Sequence, residues 1–132
     1  MLIKQLDKFG LLTGSYVTLT KLSKEDSKFC VELRNSDRAK FLNPGADSIS
    51  TQDLWLANRP SNELNYVIRD ENEVRIGLIS LIDIDFNNLR AEPARFITEE
   101  MKTKKNSKYV FESLLLIYNL AFRELGLQKF ME

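Results

Sequence analysis

Four lysines lie close together in the stretch KTKKNSK, at Lys102, Lys104, Lys105 and Lys108. The stretch follows a predicted strand and precedes a long apolar helix. The N–H groups and the dipole at the start of a helix form a common binding site for phosphate. The lysines therefore indicate either a phosphate-binding loop or a solvated charge cluster, and the residue types alone leave both interpretations open.

The chain has no histidine and one cysteine. The missing histidine excludes Ser–His and Cys–His catalysis, so acid–base chemistry must use Glu, Asp, Tyr, Lys or a water. Cys30 lies among apolar helical positions, and we expect a small buried residue rather than a nucleophile. Asp83 and Asp85 share one strand face without a third ligand. We interpret them as solvated carboxylates and expect no metal site.

Composition bounds the class of protein. A chain of 132 residues suits one domain with a real core, and its hydrophobic (43%) and charged (29%) fractions are those of a soluble globular protein. The 19 basic and 19 acidic residues cancel, which argues against a nucleic-acid-binding module. No run reaches transmembrane length, and the N-terminus lacks the apolar core of a signal peptide. We therefore expect a cytoplasmic protein with no nucleic-acid or membrane partner.

Apolar periodicity predicts the order β-α-α-β-β-β-α-β, an α+β fold with a mostly antiparallel sheet flanked by helices. The predicted strands span 16–21, 64–69, 74–86, 90–98 and 127–131, after a lead-in or short edge piece over 1–15. The first helix begins at the N-cap Ser23 and ends near 35–37, and the second begins at Ser50 or Thr51 and ends at 59–62. The third spans 108–125 and is followed by Gly126, a C-cap signal.

Three details of these elements can be tested. Strand 74–86 is apolar on both faces in its middle, which is typical of a central strand covered on both sides. Pro93 predicts a bulge or a local loss of pairing in strand 90–98. Helix 108–125 is apolar nearly all round, so we expect it to be mostly buried.

Several strings along the chain resemble those of a known family. They are LTKLSKED at 19–26, ELRN at 32–35, Trp55, RIGLISLIDID at 75–85, AE at 91–92 and LAFRELGL at 120–127. In this order and spacing over residues 16–131 they resemble the GNAT N-acetyltransferases, in particular the branch of ribosomal-protein alanine acetyltransferases and bacterial amino-sugar acetyltransferases. The resemblance implies a single GNAT-like acyl-CoA N-acyltransferase domain over residues 1–132.

The resemblance also implies a reaction. In this family acetyl-CoA, a co-substrate used without a metal, binds where the fourth and fifth strands splay apart. The acceptor amine attacks the thioester directly in a ternary complex, often after losing a proton to a Glu or a water. The acceptor here would be a small-molecule amine, such as an amino sugar, or a peptide N-terminus.

Site residues follow from the resemblance position by position. Phe96, Ile97 and Thr98 would lie along the pantetheine. The phosphate-binding loop falls on Lys105, Asn106, Ser107, Lys108, Tyr109 and Val110. The acceptor pocket falls on Arg34, Asn35, Phe41 and Trp55, although Trp55 could equally be a core residue.

Catalytic assignments are fewer. Glu92 is the candidate general base; otherwise it is a strand residue paired with Arg90 or Arg95. Tyr109 and Tyr118 are interpreted as packing residues rather than acids.

The sequence departs from the family in two places. Lys108 and Val110 occupy loop positions that the family fills with glycine or another small residue, where close backbone approach to phosphate is needed. Family members also usually run some tens of residues past the AFRELGL string. We therefore expect a C-terminally incomplete domain, whose open sheet edge would favour a homo-oligomer. The alternative function is a catalytically degenerate GNAT-fold binding or oligomerisation protein, or a gene fragment.

Overall fold

The computed structural model describes residues 6–35, 48–98 and 105–130. Its centre is a six-stranded sheet whose strands lie in sequence order. The strands are β1 Leu11–Thr13, β2 Thr18–Lys21, β3 Leu64–Arg69, β4 Arg75–Asp85, β5 Arg90–Thr98 and β6 Lys129–Phe130. The first five pair antiparallel, whereas β6 runs parallel to β5. The predicted α+β fold is confirmed, and the lead-in segment contributes the edge strand β1.

Three α-helices flank the sheet. They are α1 Ser27–Arg34, α2 Ile49–Ala57 and α3 Lys105–Asn119. A 3₁₀ turn with a capping box between Ser23 and Asp26 leads into α1, which confirms the predicted start. A π-helical turn, Leu120–Glu124, extends α3, and Gly126 then adopts the left-handed φ of 69° expected of a C-cap glycine.

Two predicted helix starts are wrong. The N-cap of α2 is Ser48, not Ser50 or Thr51, because the extended Ser48 side chain accepts a hydrogen bond from the Thr51 amide at 3.2 Å. Helix α3 begins at Lys105 rather than at Lys108. The polar residues at its start masked the helical pattern, which is read from apolar spacing.

Strand β4 lies at the centre of two hydrophobic layers. Ile79 and Leu81 pack in the layer on the α3 side of the sheet, and Leu78 packs in the layer against α1 and α2. The prediction of a strand covered on both faces is therefore confirmed. Cys30 is buried in the second layer, as predicted, and burial, with a smaller contribution from the charge of Asp26, raises the pKa of its thiol to about 12.

Helix α3 is less buried than predicted. Phe111, Leu115, Tyr118 and Phe122 are 65%, 50%, 44% and 38% exposed. Their spacing of four, three and four residues places them in one stripe along the helix and the turn that follows it. The sheet covers the opposite side, where Ile117 is fully buried. The stripe is exposed because no described element packs on it.

The bulge predicted at Pro93 lies two residues further along. Pro93 is in register with Leu81, whereas Arg95 and Phe96 together stand opposite the single β4 residue Ile79. Arg95 has a φ of 53°. Pro93 is tolerated because this part of β5 has one strand neighbour among the described residues, so a missing N–H need not break a ladder.

One buried carboxylate connects α1 to the sheet. Asp26 is 2% exposed and lies 2.8 Å from Nε of Arg75 and 3.5 Å from Nη2 of Arg69. Its other role is the capping hydrogen bond from the Ser23 amide at 2.9 Å. These contacts fix the start of α1 against β3 and β4.

Candidate active site

Strands β5 and β6 meet over two residues of the described chain. They pair at Arg90 with Lys129 and at Ala91 with Phe130, where the described part of β6 ends. From Glu92 to Thr98, β5 has no second strand neighbour in the part of the chain that the structure describes. Helix α3 begins seven residues after β5 ends. Among the described residues, one backbone edge of β5 therefore has no strand partner beyond Ala91, and α3 is the next described element along the chain.

The side chains at the end of β5 point into the core. Phe96 packs against the layer on the α3 side, whereas Ile97 is 5% exposed in the opposite layer and Thr98 is 6% exposed. The role predicted for these residues along a pantetheine would therefore rest on their backbone groups, which can pair with an extended amide-bearing ligand.

The predicted phosphate-binding positions, 105–110, are helical. The first turn of α3 presents N–H groups that have no partner within the helix, and the positive end of the helix dipole lies there. Lys108 is half-buried, with its Nζ 4.0 Å from the ring centroid of Tyr16, and Ser107 is exposed. These features suit an anionic phosphate. The sequence from 105 to 110 contains no glycine, so side chains stand where the family has close backbone approach. Lys102 and Lys104 lie outside the described residues.

Glu112, in the middle of α3, fixes the helix relative to the sheet. Its Oε1 accepts hydrogen bonds from the amides of Tyr16, at 2.6 Å, and Val17, at 2.8 Å, in the turn between β1 and β2. That turn also contains Gly14, where a Cβ would lie within 2.2 Å of the Glu112 carboxylate. The close approach explains a glycine at this position.

Tyr109 has the packing role that was predicted for it. It is 4% exposed, and its hydroxyl donates a hydrogen bond to the carboxylate of Glu71. That hydrogen bond, together with burial and nearby negative charge, raises the pKa of Tyr109 to about 12. Tyr118 is exposed and contacts Phe122 edge-on, with 6.2 Å between ring centroids.

Glu92 is the first β5 residue beyond the two pairs with β6. It is half-buried and in register with Ile82 of β4. The alternative predicted for it is confirmed in one part, since Glu92 is a residue of strand β5, but the ion pair with Arg90 or Arg95 is wrong. Arg90 lies 4.0 Å from Asp85, and Arg95 lies 2.8 Å from Glu63. Glu92 therefore lies at the start of the unpaired edge of β5 without either arginine as its partner, which keeps it a candidate base.

The residues predicted for the acceptor pocket have different environments. Trp55 packs against the second hydrophobic layer, and it also contacts two guanidinium groups, so both of its predicted roles fit. Burial, reinforced by the charge of Arg95, lowers the pKa of Arg34. Asn35 ends α1, with its side-chain amide donating to the Val31 carbonyl at 2.8 Å. Phe41 lies outside the described residues.

A polar cluster beside Trp55 was not predicted. We call it the Glu63 cluster; it comprises Trp55, Arg59, Glu63, Asn65, Ser80 and Arg95. Asn65 Oδ1 accepts hydrogen bonds from Arg95 at 2.9 Å and from Ser80 at 2.6 Å. Asn65 and Ser80 interrupt apolar strands and face each other in register. The polar residues within apolar strands were the signal available in the sequence, but only the strand register shows that Asn65 and Ser80 meet.

Glu63 carries the charge at the centre of this cluster. Burial acts to raise its pKa, but the hydrogen bonds from Arg95 and Asn65 and the charges of both arginines outweigh burial and hold the pKa below its usual range. A pocket of about 220 Å³ opens next to the cluster, and its lining includes Lys21, Leu56, Arg59 and Glu63.

No protein-family profile and no curated protein matches the chain. Solved structures do match. An apo structure of FdhC, described as a nucleotide-linked sugar GNAT, is 26% identical with a TM-score of 0.75, over 91% of this chain and 71% of that one.

Two further structures show the same fold. A GCN5-related N-acetyltransferase from Brucella melitensis is 18% identical with a TM-score of 0.71, over 91% of this chain and 57% of that one. A chimera of the Vibrio cholerae spermidine N-acetyltransferase SpeG and hSSAT is 24% identical with a TM-score of 0.71, over 88% and 69%.

The chain therefore has the fold of the GNAT acetyltransferases. These neighbours support the prediction of a GNAT-type acetyltransferase, and the predicted branch within the family stays a prediction. None of the described helices has the length and hydropathy to cross a membrane. In the described ranges, no three residues of the types that commonly bind metals come together.

Proposed function

We propose that this chain is an acetyl-CoA-dependent N-acetyltransferase that acts on a primary amine. The observation that carries the proposal is the edge of β5 from Glu92 to Thr98, which has no second strand partner among the described residues and is followed along the chain by the start of α3. The edge and the helix start provide an extended backbone and a positive helix end, which are two features that a pantetheine and its phosphates require.

The co-substrate would lie along this path. Backbone groups of Phe96, Ile97 and Thr98 would pair with the pantetheine. The first two turns of α3 would face the phosphates; they comprise Lys105, Asn106, Ser107, Lys108, Tyr109 and Val110. Because positions 105–110 contain no glycine, we expect the phosphates to contact helix N–H groups and lysine side chains rather than the backbone of a loop that wraps closely around them.

Glu92, or a water, would serve as the general base. It would take a proton from the acceptor ammonium, and the free amine would then attack the thioester carbonyl carbon in a ternary complex. Collapse of the tetrahedral intermediate breaks the C–S bond and releases the thiolate of coenzyme A, which takes up a proton. The products are the N-acetylated acceptor and coenzyme A.

The acceptor side would be formed by Arg34, Asn35, Phe41 and Trp55. An amino sugar is the acceptor we favour, and a peptide N-terminus is the second choice. The likeness to a protein described as a nucleotide-linked sugar GNAT supports the sugar. SpeG, described as a spermidine N-acetyltransferase, shows that proteins of this fold also accept polyamines.

A second function is favoured by the stripe on α3. Phe111, Leu115, Tyr118 and Phe122 expose a continuous apolar surface, and surfaces of this kind often mark interaction sites. On this alternative the chain is a catalytically degenerate GNAT-fold protein that binds a partner or a second copy of itself.

Two measurements separate these functions. We expect calorimetry to show acetyl-CoA binding, and a thiol-release assay with glucosamine to show turnover. Glu92→Gln should lower kcat about 10²–10⁴-fold without changing the affinity for acetyl-CoA, since it removes only the base. The exposed Glu124→Gln is the control. If no binding appears at millimolar acetyl-CoA, the acetyltransferase proposal fails and the second function remains. Light scattering would then compare the oligomeric state of wild type with that of Leu115→Glu.

A further inference from the structure

Arg59 has hydrogen-bond donors that the described residues do not use. Its Nε donates to the Trp55 carbonyl at 3.0 Å, and its Cζ lies 4.0 Å from the Trp55 ring centroid. Its Nη1 is 3.8 Å from Glu63, beyond hydrogen-bond range. Within the described parts of the chain, neither terminal nitrogen makes a hydrogen bond. Arg59 therefore presents an open guanidinium edge at the wall of the pocket.

Arg95 is held differently, although it contacts the same carboxylate. Its Nη1 donates to Glu63 at 2.8 Å and to Asn65 at 2.9 Å, and its Nη2 lies 3.4 Å from the second Glu63 oxygen. The side chain of Glu63 is 6% exposed, so this ion pair is largely desolvated. Arg95 thus takes most of the hydrogen-bonding capacity that Glu63 offers, and Arg59 is left with a distant contact.

Positive charge exceeds negative charge around this pocket. Among the described residues that line it, Lys21 and Arg59 are positive and Glu63 is the one carboxylate. Arg95 lies directly behind Glu63 and is paired with it. An anion bound beside Lys21 and Arg59 would balance their positive charge.

We propose that Arg59 binds a phosphate group carried by the acceptor, so that the substrate class is a phosphate-bearing amino sugar rather than a polyamine. The inference rests on the proposed function for the transfer of the acetyl group, but the phosphate contact itself does not. The planar guanidinium edge matches two phosphate oxygens, a geometry that an ammonium cannot reproduce. The phosphate binds to the open edge of Arg59, and the pair between Arg95 and Glu63 stays in place.

The test compares matched ligands. Calorimetric titrations measure the binding of glucosamine, glucosamine 6-phosphate and spermidine. Inorganic pyrophosphate is the fourth ligand, and it shows whether the site prefers a diphosphate to a phosphate monoester. We expect glucosamine 6-phosphate or pyrophosphate to bind at least about tenfold more tightly than glucosamine, as for a charge-assisted hydrogen bond. Spermidine should bind most weakly because the pocket is positive.

Variants assign the effect to Arg59. Arg59→Gln should abolish the preference for phosphate, Arg59→Lys should retain part of it, and the exposed Arg123→Gln should retain all of it. Dependence on Arg59 also separates this site from phosphate bound at the start of α3. In wild type, raising salt from about 0.1 M to about 1 M should weaken the phosphate-bearing ligands and leave glucosamine unchanged, because the Debye length falls from about 10 Å to about 3 Å.

Three results would overturn the inference: equal affinity for the two sugars, tighter binding of spermidine, or a phosphate preference that survives in Arg59→Gln. Failure of the proposed function looks different. If acetyl-CoA does not bind but the phosphorylated sugar binds through Arg59, the acetyltransferase proposal fails and the phosphate site stands.

Discussion

Two buried carboxylates in this protein each face two arginines, and the two groups differ in how completely the donors are used. The Asp26 carboxylate forms ion pairs with Arg75 at 2.8 Å and with Arg69 at 3.5 Å. The remaining nitrogens of Arg69 donate to Thr20 and to the Glu73 carbonyl, each at 3.1 Å. All three nitrogens of that guanidinium are therefore engaged within the protein.

The Glu63 cluster has the same charges but leaves one arginine open. Arg95 is bonded to Glu63 and Asn65, whereas Arg59 donates from Nε alone among the described residues. In the Asp26 group, Arg69 is bonded through all three nitrogens and Arg75 donates from Nε and Nη2, so both arginines hold elements together. Arg59, which donates from Nε alone beside a pocket, is available to a ligand. The difference lies in the hydrogen-bonding partners, since the numbers of carboxylates and arginines are equal.

The largest effect should come from the Asp26 group. Asp26→Asn removes the charge that two arginines share, so we expect the free energy of unfolding to fall by about 3 kcal/mol, as for a broken buried ion pair. Glu63→Gln should cost about 1 kcal/mol, because its amide oxygen still accepts a hydrogen bond from Arg95. Urea unfolding measures both values. Equal losses of unfolding free energy in Asp26→Asn and Glu63→Gln would contradict the distinction between the Asp26 group and the Glu63 cluster.

A smaller contrast should separate the arginines. Arg69→Gln loses three hydrogen bonds, and we expect a cost of about 2 kcal/mol. Arg59→Gln loses one hydrogen bond, a half-buried cation–π contact with Trp55 and a 3.8 Å ion pair with Glu63, so about 1 kcal/mol is expected. The same urea titrations compare them. An Arg59 variant less stable than the Arg69 variant would show that Arg59 is structural.

The smallest effect concerns pH. The pKa of Glu63 is lowered in the folded protein, so the unfolded chain binds its proton first as the pH falls. The contribution of Glu63 to stability is thus complete above its ordinary pKa and is lost as the pH falls through the lowered one. Glu63→Gln should therefore show a flatter fall in unfolding free energy below about pH 4.5 than wild type. Glu124→Gln is the comparison, and an unchanged slope in Glu63→Gln would be the contrary result.

Much of the fold could be predicted because its signals are local. Ser23 with Asp26 three residues later marks a helix start, and alternation within 74–86 marks a central strand. The bulge was predicted at Pro93 but lies at Arg95, because the position of a bulge depends on the register of β5 with its partner strand. The exposure of Phe111 could not be read from an apolar helix, since burial depends on what packs against it.

The site was predicted less completely for the same reason. Trp55 was identified by its residue type and position, but Arg59, Glu63 and Arg95 meet through pairings between β3, β4 and β5. Nothing in the sequence distinguishes these charged residues from others on the surface. Phe41, Lys102 and Lys104 lie outside the described residues, so their predicted roles stay predictions.

The central claim is that acetyl-CoA lies along the unpaired edge of β5 and at the start of α3. Amide NMR spectra recorded during an acetyl-CoA titration test it most directly. We expect saturable shifts along 94–98 and 105–108, with small changes at the Asp26 group. Unchanged spectra at millimolar acetyl-CoA, or shifts confined to the stripe from Phe111 to Phe122, would contradict the claim.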